Sequence, residues 1–269
     1  MLDCYIINLD RAQDRWNANS EKFGPLGLNV IRVSAIEGKD LVFPHPDFAP
    51  WRFFFCYGRP MVPNKVACFL SHIKSLRTFL ATDKEHAMVC EDDVFPLPEL
   101  VDVLKDAMRY SVSWDFLRLN GTKPTKGIDF ATLSHGFHLR CDLKTVGGTG
   151  AYVVNRYAAE TIIKKCLPIR LPTDVTLFHD WSIGLREVTV HPFPIQLEET
   201  ARKNSTIGKE YRYPFLHPAS FRHVIHLPYR ICSRSARQIT RICWAMQNYF
   251  FPPVPSSVKT ETNVDATQH

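Results

Sequence analysis

The sequence predicts an α/β fold on a mostly parallel sheet. Three observations carry this expectation. Short continuous apolar runs such as CYIINL (4–9) and HAMVC (86–90) read as strands buried on both faces, as in parallel sheets. They alternate with longer helical patterns in the order β-α-β-loop-α-β-α-β and then β-α, which requires crossover connections. One run ends directly in three acids, Glu91-Asp92-Asp93, and the C-terminal edge of an open α/β sheet is where ligands bind.

In chain order, the first strand (4–9) feeds a polar helical pattern from Asp10 to Phe23, with Asp10 as cap and Gly24-Pro25 as stop. NVIRVSAI (29–36) is a second strand. Residues 37–63, rich in Pro and aromatics and containing WRFFFCYG, form a loop too long to be a mere connection. Asn64 suits the N-cap of a helix over 65–83. After the third strand and its acids, LPELVDVLKDAMRY (97–110) reads as a helix and WDFLRL (114–119) as a strand. TVGGTGAYVVN (145–155) begins as a Gly-rich turn and becomes a strand, and RYAAETIIKKCL (156–167) is a helix. Residues 1–219 thus form one domain, 220–251 a basic helical segment with no acid, and 252–269 a tail of disordered composition.

The 269 residues, 45% hydrophobic and 22% charged, exclude a disordered chain and can bury a real core. The net charge of +6 is mild, so its placement matters more than its size. The eight cysteines stand singly, with no CxxC pair, which argues against a zinc ribbon or thioredoxin-type site and for a reducing, cytoplasmic setting. The N-terminus carries no signal-peptide pattern, and no apolar run reaches membrane-spanning length.

Three adjacent carboxylates at a strand end repel one another unless a cation or donors compensate. Oxygen ligands of this kind suit Mg²⁺ or Mn²⁺ shared with substrate phosphates. A solvated, inert acidic loop is the plain alternative. A receiver or phosphatase domain also pairs acids at a strand end, but its accompanying lone Asp and later Lys are not found in order.

YIINLDRAQDRW, ACFLSHIKSLR (67–77), MVCEDDV, GTGAYVVNRYAAE (148–160), PTDVTLF (172–178) and NSTIG (204–208) occur in the order found in glycosyltransferase family 25, and the chain resembles that family over roughly residues 3–210. The resemblance implies a GT-A type fold, that is a Rossmann-like nucleotide-binding sandwich, and inverting transfer of a hexose, with galactose the first candidate, from a UDP-sugar to a lipooligosaccharide or LPS acceptor. It maps the family's acidic motif onto Glu91-Asp92-Asp93. Asp93, with Glu91, would meet the Mn²⁺ or Mg²⁺, and Asp92 or Glu91 would face the ribose or a metal-bound water. Asn8 and Leu9 would end the first strand beside the uracil and ribose. Arg11 and Arg15, four apart, would share a helix face suited to a diphosphate, or simply stand in water. Ser71 and His72 would support the donor site, although a core histidine is the plainer reading. Gly148, in a turn that is not a GxGxxG fingerprint, would let backbone approach the sugar, or form a tight turn only. Asp174 matches the family's Asp after GTGAY and would be the general base, with Asp180 its rival; either could be a helix cap. Asn204, Ser205 and Thr206 would close over the nucleotide.

Arg230, Arg234, Arg237 and Arg241 form one stripe of the C-terminal helix, opposite Ile231, Ile239, Ile242, Met246 and Phe250. Such a helix can lie on an anionic inner-membrane surface, making the enzyme cytoplasmic and peripheral, or can pack on the domain with its arginines in water. Nothing supports nucleic-acid binding. The rivals to this reading are another metal-dependent nucleotide-sugar enzyme and an inactive membrane-associated scaffold of the same family.

Overall fold

The computed structural model describes residues 2–58, 61–123, 125–177, 180–198 and 219–256, without the side chains of 180, 181 and 219–225. Its centre is an eight-stranded sheet in the order β2-β1-β3-β8-β5-β9-β7-β6. The strands are β1 (Asp3–Asn8), β2 (Asn29–Ser34), β3 (His86–Glu91), β5 (Phe116–Arg118), β6 (Gly127–Thr132), β7 (His138–Asp142), β8 (Ala151–Asn155) and β9 (Glu187–His191). A separate two-stranded ribbon pairs β4 (Val94–Pro96) with β10 (Ile195–Leu197).

Side chains alternate across β1, and each face is covered by helices. Tyr5 and Ile7 face a core built with α2 (Pro50–Tyr57), α3 (Pro63–Leu80) and α5 (Arg156–Cys166). Cys4 and Ile6 face a second core with α1 (Gln13–Phe23) and α4 (Leu100–Met108). The result is a three-layer α/β/α sandwich. Among the described residues, α5 is followed by two short helices, α6 (Thr173–Thr176) and α7 (Asp180–Ile183), and by the long α8 (Ala219–Phe250).

The sheet is mixed where the sequence predicts mostly parallel. β2-β1-β3 and β5-β9 run parallel, but β8 is antiparallel to both β3 and β5, and β6-β7 is an antiparallel hairpin joined to β9. An apolar strand buried on both faces, such as AYVVN, reads the same in either direction, so its sequence does not reveal its sense.

Several boundaries differ for local reasons. Asp10 does not cap α1: the helix begins at Gln13, and the Asp10 carboxylate accepts a 2.6 Å hydrogen bond from Ser34 Oγ. Nor does Asn64 cap α3, which starts one residue earlier with Pro63 at its first position, where a missing N–H costs nothing. The stretch expected to be loop contains α2, whose aromatic Phe53 is buried while Trp51 stands in water. The first residues of the expected disordered tail reach back to the domain: the Ser256 N–H donates to the Arg109 carbonyl at 2.8 Å, while residues 257–269 lie outside the described residues.

The orientation of α8 reverses one expectation. The Arg241 end of its arginine stripe turns into the domain, with Arg241 only 5% exposed while Arg230 and Arg234 stay exposed, and its apolar stripe turns to solvent, with Ile239 62% and Phe250 64% exposed. The cause is a buried carboxylate. Glu187 accepts from Arg118 at 2.8 Å and from Arg241 at 2.9 Å, and Arg241 also donates to the Lys144 carbonyl at 2.9 Å. A guanidinium with those partners is better inside than in water. No helix among the described residues is long and apolar enough to cross a membrane.

Candidate active site

In the parallel β1-β3 pair Ile7 stands opposite Glu91, so Asn8 and the three acids emerge side by side at one sheet edge. From that edge α1 leaves over one face and α3 crosses the other, and a crevice opens between them. A cavity of about 180 Å³ occupies it, walled by Leu9, Ile36 and Ala67, with Arg11, Arg15 and the acids at its rim. A second cavity of about 260 Å³ shares Cys68 and Glu91 with the first and is bounded by Gly148, Thr149, Thr173 and Asp174.

The three acids have three different fates. Glu91 accepts from Thr149 Oγ1 at 3.0 Å and lies 3.4 Å from His72 Nε2. Burial pushes its carboxyl up, but the His72 hydrogen bond and charge and the Thr149 hydroxyl bring it net below its usual value. Asp92 accepts from Asn8 Nδ2 at 2.7 Å and Arg15 Nη1 at 3.0 Å, and its backbone carbonyl accepts from Asn19 at 2.9 Å. Asp93 differs from both: its Oδ1 is buried with no hydrogen-bond partner among the described residues. Burial, followed by the Glu91 and Asp92 charges, pushes the Asp93 carboxyl up to about 7 against the opposing pull of Arg15.

A buried carboxylate oxygen without a donor, beside a second acid, fits a hard divalent cation. Asp93 and Glu91 are therefore the residues that would hold one. Cys68, His72 and Glu91 also bring ligand atoms within 4.8 Å of one another. That group fits less well. Its thiol and imidazole are softer donors than carboxylate oxygens and are poorly matched to a hard cation shared with a diphosphate.

The residues expected at the donor site mostly meet here, in roles the sequence does not disclose. Asn8 is buried and fully engaged, donating to Asp92 and to the Ala12 carbonyl while its Oδ1 accepts from Arg32 at 2.8 Å. It positions Asp92 and does not offer itself to a base. Arg11 precedes α1, so it shares no helix face with Arg15; it pairs with Glu37 at 3.2 Å. Ser71 accepts from the Ile36 N–H at 2.9 Å and fixes the β2–α2 connection to α3. His72 stacks on Tyr152 with ring centroids 5.7 Å apart. Gly148 sits at φ +80, a left-handed conformation that favours glycine, and its carbonyl accepts from Arg118 at 2.6 Å. Asp174 is exposed on α6 at the edge of the second cavity. The backbone of Asp180 begins α7, but its side chain, like all of Asn204, Ser205 and Thr206, lies outside the described residues.

Sequence reasoning passed over Asn19, Arg32, Thr149 and Tyr152. The last two stand inside GTGAYVVN, whose motif could have pointed to them. Asn19 and Arg32 carry no local signal, because each matters only through a partner distant in the chain.

The chain is 32% identical over 122 residues to a glycosyltransferase 25 family member of Aedes aegypti, covering 42% of this chain and 20% of that protein. It is 31% identical over 122 residues, with the same coverage, to a glycosyltransferase 25 family member of Anopheles gambiae. The matched stretch therefore spans about a fifth of each relative's length. Among solved structures, A197 from STIV overlaps 70% of this chain and 81% of its own at 14% identity, with a TM-score of 0.37, too low to bear on fold or function. The sequence profile described as glycosyltransferase family 25 (LPS biosynthesis protein) matches residues 1–177, well over half of the chain, and the protein belongs to that family.

Proposed function

We propose that the protein is an inverting, GT-A type transferase that uses a divalent cation. It moves a hexose, with galactose the first candidate, from a UDP-sugar to a lipid-linked oligosaccharide acceptor of the LPS class. The observation that carries this reading is the unpaired Asp93 oxygen at the rim of a cleft that also holds Arg15. That combination suits a diphosphate accompanied by a metal ion.

Leu9, Ile36 and Ala67 offer the apolar walls that a flat base needs, and Arg11 and Arg15 offer positive charge to the diphosphate. Asp93 and Glu91 would hold Mn²⁺ or Mg²⁺, which when bound supplies charge stabilisation to the departing diphosphate. His72 and Thr149 keep Glu91 ionised and oriented, and Asn8 and Arg15 hold the Asp92 carboxylate in place. Asp174, exposed on the opposite rim of the second cavity, is suited to take the proton from the acceptor hydroxyl. Asp180 remains the rival base.

The test is UDP release from a panel of UDP-hexoses with Mn²⁺, Mg²⁺ or chelator. UDP-galactose with Mn²⁺ is expected to give the highest rate; no release from any donor would sink the reading. In the same assay Asp174→Asn is expected to lower kcat on the order of 100-fold or more, the range of a lost general base. Its affinity for the UDP-sugar should stay within twofold of wild type. Loss of donor binding would transfer the role to Asp180.

We place the protein in the cytoplasm, peripheral to the membrane; what supports attachment to a membrane surface is the outward apolar stripe of α8 more than its arginines. Ile231, Ile239, Ile242, Met246 and Phe250 are all exposed on it. Each square ångström of apolar surface buried in a lipid interface yields about 25 cal/mol. Ile239→Ser/Ile242→Ser/Met246→Ser is therefore expected to lose co-sedimentation with vesicles of 70% phosphatidylcholine and 30% phosphatidylglycerol. Wild type should retain most of its binding in 0.5 M salt; equal sedimentation of the two proteins would refute the apolar attachment.

A further inference from the structure

Cys68 and Glu91 stand where the two cavities of the cleft meet, since each lines both, and His72 lines the cavity that also holds Asp93. Cys68 and His72 lie four residues apart on α3 and so share one face of that helix. Glu91 ends β3. The Cys68 sulfur, an imidazole nitrogen of His72 and a carboxylate oxygen of Glu91 lie within 4.8 Å of one another. His72 Nε2 and Glu91 Oε1 are 3.4 Å apart. A nitrogen and an oxygen bound to one tetrahedral zinc ion, with bonds of about 2.1 Å, have much the same spacing.

Each of the three side chains has an outer partner that orients it. The Thr173 hydroxyl donates to Cys68 Sγ at 3.7 Å, the Tyr152 hydroxyl meets His72 Nδ1 at 3.0 Å, and Thr149 Oγ1 donates to Glu91 Oε1 at 3.0 Å. Ligating histidines engage their second nitrogen in this way, which leaves the first to face the ion. A hydroxyl can donate or accept, so Tyr152 serves His72 whichever nitrogen carries the proton.

The donor set selects the ion. Thiolate and imidazole suit zinc and its transition-metal neighbours, whereas magnesium and manganese take oxygen ligands. Three protein ligands leave a fourth position for water or a substrate oxygen. Glu91 belongs both to this group and to the pair it forms with Asp93, so a carboxylate drawn toward Cys68 and His72 is withdrawn from Asp93.

We infer that Cys68, His72 and Glu91 form a binding site for zinc or a similarly thiophilic divalent ion, and that filling it inhibits the enzyme by withdrawing Glu91 from the catalytic cation. On binding, the Cys68 Sγ–H bond gives way to an Sγ–metal bond and the proton leaves to solvent. The site stands on its own geometry; only its inhibitory effect rests on the transferase reading.

Cobalt(II) titration of the full chain reads the site without any variant. Wild type is expected to show a thiolate-to-cobalt charge-transfer band in the near ultraviolet, which zinc added afterwards should bleach. The band should persist in Cys232→Ser/Cys243→Ser, whose thiols are exposed on α8, and vanish in Cys68→Ser. In calorimetry Cys68→Ser should weaken zinc binding about 100-fold. The isosteric Thr173→Val, which removes only the outer hydroxyl, should weaken it about tenfold, and it decides the matter together with the wild-type band should Cys68→Ser fail to fold. In the Mn²⁺-supported UDP-release assay, saturating zinc should stop wild type and leave Cys68→Ser at its own zinc-free rate. Absence of the band in wild type, or equal zinc affinity in wild type and both variants, overturns the site. A Cys68-dependent band with turnover indifferent to zinc upholds the site and overturns the inhibition. A chain that releases no UDP even without zinc overturns the transferase reading, and the cobalt spectrum still decides the site.

Discussion

Asp93→Asn is expected to lower turnover by two to three orders of magnitude while making the metal-free protein more stable above pH 7. The loss of activity follows from removing a charged oxygen from a site fitted to a hard cation, whose charge stabilisation is worth several kcal/mol; about 1.4 kcal/mol corresponds to tenfold. The gain in stability follows from the raised Asp93 carboxyl, pushed up to about 7 by burial and by Glu91 and Asp92. Its folded value lies above the unfolded value of about 4. Between those values the unfolded chain releases a proton that the folded chain retains, so stability falls as pH rises. The penalty is absent below about pH 4 and complete above pH 7. Asn carries no such charge. With chelator present, thermal melts should therefore place the variant roughly 5 °C above wild type at pH 8 and converge with it near pH 4. Saturating Mn²⁺ should raise the wild type and leave the variant unmoved. A variant that is active, or one destabilised equally at both pH values, would falsify the assignment of Asp93 as the unpaired acid.

This prediction concerns the part of the site that the sequence reveals best. The apolar run before Glu91-Asp92-Asp93 marks a buried strand, and its emergence at the ligand edge follows from the βα order. What the run does not disclose is which acid remains free. Chemically similar neighbours are distinguished by Asn8, Arg15, His72 and Thr149, which lie from 19 to 84 positions away in their hydrogen bonds to these acids. The same limit applies to the fold. β1 and β3 are legible because both faces are buried, whereas the hairpin GIDFAT–HLRCD is half-exposed and weakly patterned. In α8 the arginine stripe is plain from its spacing, but periodicity identifies two opposite faces without saying which faces inward. That choice is made by Glu187, more than fifty residues earlier.

Glu187→Gln is expected to be the most destabilising single change outside the hydrophobic core. Glu187 links the centre of the sheet to α8. Its Oε1 accepts from Arg118, on the central strand β5, and its Oε2 accepts from Arg241, on α8. Arg118 in turn donates to the Gly148 carbonyl in the turn beside the second cavity. Removing the Glu187 charge leaves two buried guanidiniums sharing a neutral amide, and breaking a buried pair in this way costs about 3–5 kcal/mol. For a protein of this size that corresponds to a melting temperature lower by roughly 10 °C. Replacing all three charges with apolar groups of similar length, Arg118→Met/Glu187→Leu/Arg241→Met, should recover most of the loss, because it removes the desolvation penalty along with the pairing. The triple variant nevertheless lacks the donor that holds the Gly148 carbonyl, so it should stay folded with kcat reduced about tenfold and donor affinity nearly unchanged. A triple variant with wild-type kcat would show that the Arg241–Glu187–Arg118 chain serves stability alone, and that the glycine turn holds its place without it.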